Sequence, residues 1–133
     1  MPVELLRAGQ FRHASGEVVI TRAMLADMAR NFAADAYGQM IFVDVAHNTF
    51  DGAAGIVRAL WVDGDRLLSE VEWTPYGLES IEERGFVYLS AEFHENYRDN
   101  EARQFHGATL LGAALTLRPW NKHQQPLKLM ALA

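Results

Sequence analysis

The sequence predicts a small α+β domain whose mostly antiparallel sheet is curled into a barrel, with a few helices around it. Short strand-like runs recur along most of the chain, and two helical segments with clear end signals are inserted between them. Strict β-α-β alternation is missing, which argues against a parallel sheet. A chain of 133 residues, half of them hydrophobic, has the size of one ordinary domain with its own core.

The first half of the chain alternates strand and helix signals. Residues 17–20, EVVI, predict a short strand, and Thr21 is placed to cap a helix over residues 22–34. Gly38 ends that segment, and IFVDVAH at 41–47 predicts a strand that runs into a loop. The helix has one apolar stripe at helical spacing, formed by Leu25, Met28, Ala29 and Phe32.

A hairpin and a second helix follow. AAGIVRALWV and RLLSEVEW flank an Asp63-Gly64 pair, which predicts a type I′ hairpin turn because both central residues of that turn need positive φ. Thr74-Pro75 predicts a capped helix start and Gly85 its end, so we expect a helix over 75–84.

The last third predicts further strands. FVYLSAEF at 86–93 is one, and FHGATLLGAALTL supplies one or two more before Arg118-Pro119, with turns at EN and DN between them. The composition changes after Pro119, where polar WNKHQQP precedes apolar KLMALA. We therefore divide the chain into a domain over 1–119 and a C-terminal tail over 120–133.

Composition limits the class of function. The chain has no cysteine, which excludes disulfides, a thiol nucleophile and thiolate zinc sites. It has no apolar run near the ~18 residues of a membrane span, and no basic-then-apolar leader. We expect a soluble, non-exported protein. The net charge of −5, without a basic stripe, argues against a nucleic-acid partner.

Ser90 is the first candidate site residue. Alternation along FVYLSAEF puts Leu89 and Ala91 on the better core face and Ser90 and Glu92 on the other. Taken alone, a serine at this position is typical of the polar side of an ordinary half-exposed strand. A catalytic role requires a base within hydrogen-bond reach of the hydroxyl.

His47, at the end of a predicted strand, is the first candidate base, and an imidazole satisfied by the backbone is the plainer interpretation. Asp44 lies three residues earlier and shares a face with His47 only if the strand bends or bulges at Val45-Ala46. His94 and His106 are alternative partners for the serine. A metal site of Asp44, His47, His94 and His106 is chemically possible, although no paired-ligand spacing is present.

An ordered set of short signatures runs from about Leu6 to Pro119. The signatures are GQFRHASGEVVIT, MLADMARNF, DVAH, AAGIVRALWV, EVEWTPYGLESI, YLSAEF and ALTLRP. Together they resemble the Mu-like prophage I proteins, the head-maturation proteases of Mu-type phages. The family looks related to prohead proteases and herpesvirus assemblins, serine proteases built on a small β-barrel.

The resemblance implies that Ser90 is the nucleophile and His47 the general base, with no cofactor. Relatives place a histidine or acid in the strand that reads LLGAALTL here, where Thr116 is the available polar residue. Glu92 and Asp44 are the competing carboxylates for the third position. Assemblins hold the oxyanion with an arginine near this point, which makes Arg118 a candidate, although an exposed surface arginine is the plainer interpretation.

The function implied is a serine endopeptidase of phage head maturation, acting inside the immature prohead in the bacterial cytoplasm. Its expected substrate is the scaffold protein, with the major capsid protein and the chain itself as further candidates, and a homodimer is a candidate assembly. The end KLMALA, at 128–133, is interpreted as a self-release remnant, an artificial end or a natural one. The alternatives are a non-enzymatic scaffold-associated or decoration module on the same barrel, and a metal hydrolase.

Overall fold

The structure, a computed structural model, describes residues 2–14 and 16–127. Over these residues the chain forms ten strands and two helices. The elements are β1 Pro2–Arg7, β2 Gly9–His13, β3 Gly16–Ile20, α1 Arg22–Ala33, β4 Phe42–Val45, β5 Gly55–Asp63, β6 Arg66–Trp73, α2 Pro75–Glu82, β7 Tyr88–His94, β8 Arg98–Asp99, β9 Gln104–Phe105 and β10 Thr109–Thr116.

One six-stranded sheet, in the order β1-β6-β5-β4-β10-β7, organises the molecule. Its neighbours are antiparallel except for the parallel pair β4 and β10. The edge strands β1 and β7 approach one another, so the sheet is nearly closed. The pairs β2–β3 and β8–β9 lie outside this sheet. A small, β-rich α+β domain with a barrel-like sheet is confirmed, and the specific likeness to assemblins stays a prediction.

Both predicted helix starts are confirmed. The Thr21 hydroxyl accepts a hydrogen bond from the Met24 N–H at 3.1 Å, and the Thr74 hydroxyl accepts one from the Gly77 N–H at 3.1 Å. Each bond satisfies a donor that the first turn of a helix leaves free. These contacts are local in sequence, which is why residue type alone predicted them.

The predicted hairpin is present, but the prediction of a type I′ turn was wrong. Asp63 pairs with Arg66, so the central residues are Gly64 and Asp65 rather than Asp63 and Gly64. Only Gly64 has positive φ, at 65°. Positive φ at the first central residue alone is the pattern of a type II′ turn, which needs glycine at that position only.

The N-terminal strand β1 was not predicted, and its bulge explains why. The register with β6 shifts between Glu4 and Leu6, so Leu5 and Leu6 are both fully buried although they are consecutive. A bulge breaks the period-two alternation that identifies a strand in sequence.

Residues 120–127 are part of the packed domain. The Trp120 ring lies edge-on to Phe11 with ring centroids 5.9 Å apart, and the buried Asn121 side chain hydrogen-bonds to both the N–H and the carbonyl of Arg7. The Leu127 N–H donates to the Val87 carbonyl at 2.7 Å. The packing therefore continues past the boundary drawn at Pro119 and reaches at least Leu127. The segment 128–133, interpreted as a release remnant, lies outside the described residues.

Within the part of the chain that the structure describes, no helix has the length and apolar character that a membrane crossing requires.

Candidate functional site

Ser90 lies near the middle of β7, in a row of residues that crosses three strands. It pairs with Ala114 of β10, and Ala114 pairs with Asp44 of β4. Directly paired residues project to the same side of a sheet, so Ser90 and Asp44 share a face across Ala114. Leu89 and Ala91 are in the core as predicted. Ser90 is itself only 6% exposed, however, so its face is not the half-exposed one expected of an ordinary polar strand.

His47 is placed by a sharp turn at the end of β4. Ala46 and His47 both have positive φ, 57° and 59°, and the Asn48 N–H donates to the Val45 carbonyl at 3.0 Å. This combination is characteristic of a type I′ turn, which is unusual without glycine or asparagine at its centre. The turn supplies the bend that Asp44 and His47 needed in order to approach one another.

Three side chains converge at this turn. Ligand atoms of Asp44, His47 and Glu92 all lie within 4.8 Å of one another. Glu92 follows Ser90 by two residues on β7, so both side chains point to the same face. The metal site suggested by the sequence is therefore only partly present. Asp44 and His47 lie together as suggested, but the third member is Glu92, and neither His94 nor His106 belongs to the cluster.

Glu92 is the carboxylate that contacts the imidazole. His47 Nδ1 lies 2.9 Å from Glu92 Oε1. An ionised carboxylate only accepts hydrogen bonds, so Nδ1 carries the proton and the neutral ring keeps its lone pair on Nε2. Both side chains are about half exposed, 52% for His47 and 45% for Glu92. The contact defines the tautomer and the direction of the ring, and it adds little to stability at this exposure.

Asp44 is the second carboxylate of the cluster. Its Oδ1 is buried and, among the described residues, has no hydrogen-bond partner. Burial raises the pKa of Asp44, and the nearby Glu92 raises it further, whereas the His47 imidazole and backbone N–H act in the opposite direction. Asp44 is therefore less readily ionised than an ordinary aspartate.

The Ser90 hydroxyl forms no hydrogen bond within residues 2–14 and 16–127, so the bond that would couple it to His47 is not made in this conformation. Catalytic hydrogen bonds are often long before substrate binds. Ser90 and Glu92 are separated by about 7 Å along the strand, and His47 is attached at the Glu92 end. A hydrogen bond between Ser90 and His47 therefore requires the imidazole to rotate or the 46–48 turn to move.

Thr116 and Arg118 lie away from this cluster. Thr116 pairs with Tyr88 at the other end of β7, and its hydroxyl accepts from the Arg118 N–H at 3.3 Å. Arg118 is exposed. Thr116 is thus engaged with its own turn, and the histidine partner that the structure provides is Glu92.

The remaining histidines have other contacts. His94 Nδ1 accepts from the Asn96 N–H at 3.1 Å. His106 stacks on Tyr97, with ring centroids 6.3 Å apart, and its Nε2 lies 3.8 Å from Asp99 Oδ2. Both residues support the loop that carries β8 and β9.

A groove of about 390 Å³ opens beside the cluster. Gly112 of β10 has no side chain to fill the space between β4 and β7, and an added Cβ there would lie 3.6 Å from Glu92 Oε2. Met40 and Phe42 are exposed at 51% and 46%. The groove is lined by Gln39, Met40, Phe42, Val43, Asp44, Thr49, Gly52, Ala53, Glu92, Leu111, Gly112 and Ala113.

Tyr76 is a neighbour that the sequence did not single out, although it lies within the EVEWTPYGLESI signature. Burial raises the pKa of the Tyr76 hydroxyl, and the charges of Asp51 and Asp44 contribute in the same direction. Tyr76 belongs to α2, so this helix approaches the acidic side of the cluster. Its position became visible only when α2 was placed on the sheet.

The fold and this cluster define the class: a small β-rich α+β domain with a serine, a histidine and two carboxylates on one face of its sheet. The chain matches the family model described as Mu-like prophage I protein, N-terminal domain, over residues 3–127. It therefore belongs to that phage-related family. No curated protein and no solved structure matches the chain.

Proposed function

We propose that this protein is a serine endopeptidase of phage head maturation. The observation that supports it most directly is the 2.9 Å contact between His47 Nδ1 and Glu92 Oε1, on the sheet face that also carries Ser90. A histidine oriented by a carboxylate beside a serine is the arrangement that activates a hydroxyl nucleophile. Membership of a phage-related family supports the biological setting.

The mechanism assigns one role to each member of the group. Ser90 Oγ attacks the peptide carbonyl carbon while His47 Nε2 accepts the hydroxyl proton. The imidazolium then gives that proton to the leaving amine, and an acyl-enzyme ester remains on Ser90. Water, deprotonated by the same nitrogen, releases the acid and regenerates the serine. Glu92 holds the Nδ1–H and stabilises the imidazolium.

The proposed substrates are the phage scaffold protein and the major capsid protein, cleaved inside the immature prohead in the host cytoplasm. Cleavage of the chain itself and activity as a homodimer belong to the same proposal. The proposal also includes the oxyanion role of Arg118. Ser90 pairs with Ala114, and Arg118 lies four residues further along the chain, beyond the end of β10 and away from Ser90. Backbone rearrangement on substrate binding would have to bring it closer.

Two alternative functions are each favoured by one observation. The convergence of Asp44, His47 and Glu92 within 4.8 Å favours a metal-dependent hydrolase, because carboxylate and imidazole suit zinc. The unbonded Ser90 hydroxyl favours a non-enzymatic scaffold-associated or decoration module. Each alternative makes a different prediction for the same assay.

A fluorophosphonate probe tests the serine mechanism without knowledge of the substrate. We expect one covalent adduct on Ser90, found by mass spectrometry of peptides, and its loss in His47→Ala. His94→Ala is the matched control and retains labelling. Cleavage of the co-expressed scaffold protein should disappear in Ser90→Ala and persist with a chelator present. Cleavage that survives Ser90→Ala but stops with chelator would establish the metal hydrolase. If the protein is neither labelled nor able to cleave the scaffold protein, the non-enzymatic module is the remaining function.

A further inference from the structure

The groove beside the catalytic group has a charge pattern of its own. Asp44 and Glu92 both line it, and none of its lining residues, all of them within the described part of the chain, is a lysine or arginine. Glu92 contacts the His47 imidazole, whereas Asp44 forms no ion pair with any described lysine or arginine. This end of the groove therefore holds two carboxyl groups with no lysine or arginine among the lining residues.

The walls of the groove are apolar. Met40 and Phe42 stay about half exposed there, and Leu111 is a further apolar residue of the lining. Large hydrophobic side chains that are exposed to water at a concave surface favour ligand binding, because a ligand that covers them removes apolar surface from water. The cavity, about 390 Å³, lies within the range of roughly 300–1,000 Å³ typical of ligand sites.

Apolar walls that lead to two carboxylates suit a side chain with an aliphatic stem and a cationic end. We propose that this groove is a substrate subsite for a lysine or arginine side chain of an extended peptide. A purely apolar side chain would cover Asp44, whose Oδ1 has no hydrogen-bond partner among the described residues, and burying an unpaired carboxylate costs free energy. A short polar side chain would leave Met40 and Phe42 uncovered. The proposal rests on the proposed peptidase function, because it names the residue preference of that same site.

The position of Glu92 relates the subsite to the reacting bond. Glu92 contributes to the groove wall and also holds His47, and it follows Ser90 by two strand residues, about 7 Å. A cation bound at Asp44 and Glu92 therefore belongs to a residue close to the scissile bond. We expect the basic residue within one or two positions of the cut.

Binding to the Ser90→Ala protein tests the subsite separately from catalysis. The probes are two matched sets of capped eight-residue alanine peptides, one with a single lysine at each position and the other with norleucine, which has the same stem and no charge. Affinity is measured by NMR titration of the Gly112 and Ala113 amides. We expect at least one lysine position to bind about tenfold tighter than its norleucine match, with the difference reduced at high salt.

Asp44→Asn should remove most of this preference, and Glu79→Gln, an exposed carboxylate on α2 that pairs with Arg84, should leave it unchanged. Equal affinity for both peptides, or tighter binding of norleucine, would overturn the basic subsite. If lysine is preferred in Ser90→Ala and the wild type neither cleaves these peptides nor reacts with a fluorophosphonate, the peptidase proposal fails and the binding site stands. If the wild type cleaves the peptides without any lysine preference, the peptidase proposal stands and the basic subsite fails.

Discussion

His47 and Glu92 are 45 residues apart in the chain, yet Nδ1 of the first lies 2.9 Å from Oε1 of the second. The contact joins the turn after β4 to the last part of β7, across β10. It shows which side chain contacts the imidazole, whereas the sequence left the third member of the proposed catalytic group open between Thr116, Glu92 and Asp44. Glu92 is therefore the residue whose substitution should impair the histidine most directly.

Glu92→Gln should lower kcat of peptide cleavage by about 10²- to 10⁴-fold, because the neutral amide neither fixes the productive tautomer nor stabilises the imidazolium. KM for a substrate without a basic residue should change little. Thr116→Ala should retain activity, since its hydroxyl serves its own turn. Steady-state kinetics on purified variants provides the measurement, with the exposed Glu101→Gln as control. Loss of activity in Thr116→Ala and not in Glu92→Gln would reverse the assignment.

Ala46→Gly should stabilise the fold by about 0.5–1 kcal/mol. Ala46 has φ of 57°, where a Cβ is strained by roughly 1–2 kcal/mol, and glycine relieves that strain at some cost in unfolded-state entropy. Urea unfolding gives the free energy. Ala29→Gly, in the interior of α1, is the matched control and should destabilise by about 1 kcal/mol. A destabilised Ala46→Gly protein would mean that the turn does not hold positive φ in solution.

Gly112→Leu should weaken substrate binding while leaving the domain folded. A Cβ at Gly112 meets the Phe42 carbonyl oxygen at 3.5 Å and Glu92 Oε2 at 3.6 Å, which are ordinary contact distances. The rest of a leucine side chain must then enter the groove. We expect Gly112→Ala to retain most activity and Gly112→Leu to raise KM at least about tenfold. Circular dichroism and the melting temperature verify the fold, and an active Gly112→Leu enzyme would place the substrate elsewhere.

Asp44→Asn should stabilise the protein at neutral pH. The folded state raises the pKa of Asp44 above its ordinary 3.8, so the folded protein binds this proton more tightly than the unfolded chain does. The contribution of Asp44 to the free energy of unfolding is fully present below pH 3.8, the ordinary pKa of the residue. It is lost as the pH rises through the pKa of the folded state. Asparagine avoids the loss, so its advantage appears near neutral pH and vanishes in acid.

Urea unfolding of both proteins at about pH 3 and about pH 7 measures that advantage. The exposed Asp63 lacks the burial of Asp44, so Asp63→Asn serves as the control substitution. An Asp44→Asn protein that is less stable than the wild type at neutral pH would show that the carboxylate has a partner in solution.

Local chemistry predicted much of the secondary structure. Thr21 and Thr74 cap helices because their hydroxyls accept from N–H groups three residues away, and Gly64 begins a hairpin turn because glycine tolerates positive φ. The strand that carries Ser90 and Glu92 was predicted from its apolar alternation. The strand β1 was missed because its bulge places Leu5 and Leu6 both in the core, a feature that depends on pairing with β6.

By itself, the sequence determined that this is a β-rich α+β domain without cysteine chemistry, and that Ser90 and Glu92 share one face of a strand. Only the tertiary structure decided which groups meet there. His47 reaches Glu92 because β4 lies parallel to β10, β10 lies antiparallel to β7, and Ala46 and His47 turn back with positive φ. Alanine has no local preference for positive φ. The turn is held by contacts to distant strands, from the Ala46 N–H to the Leu115 carbonyl and from His47 to Glu92, and no short stretch of sequence contains that information.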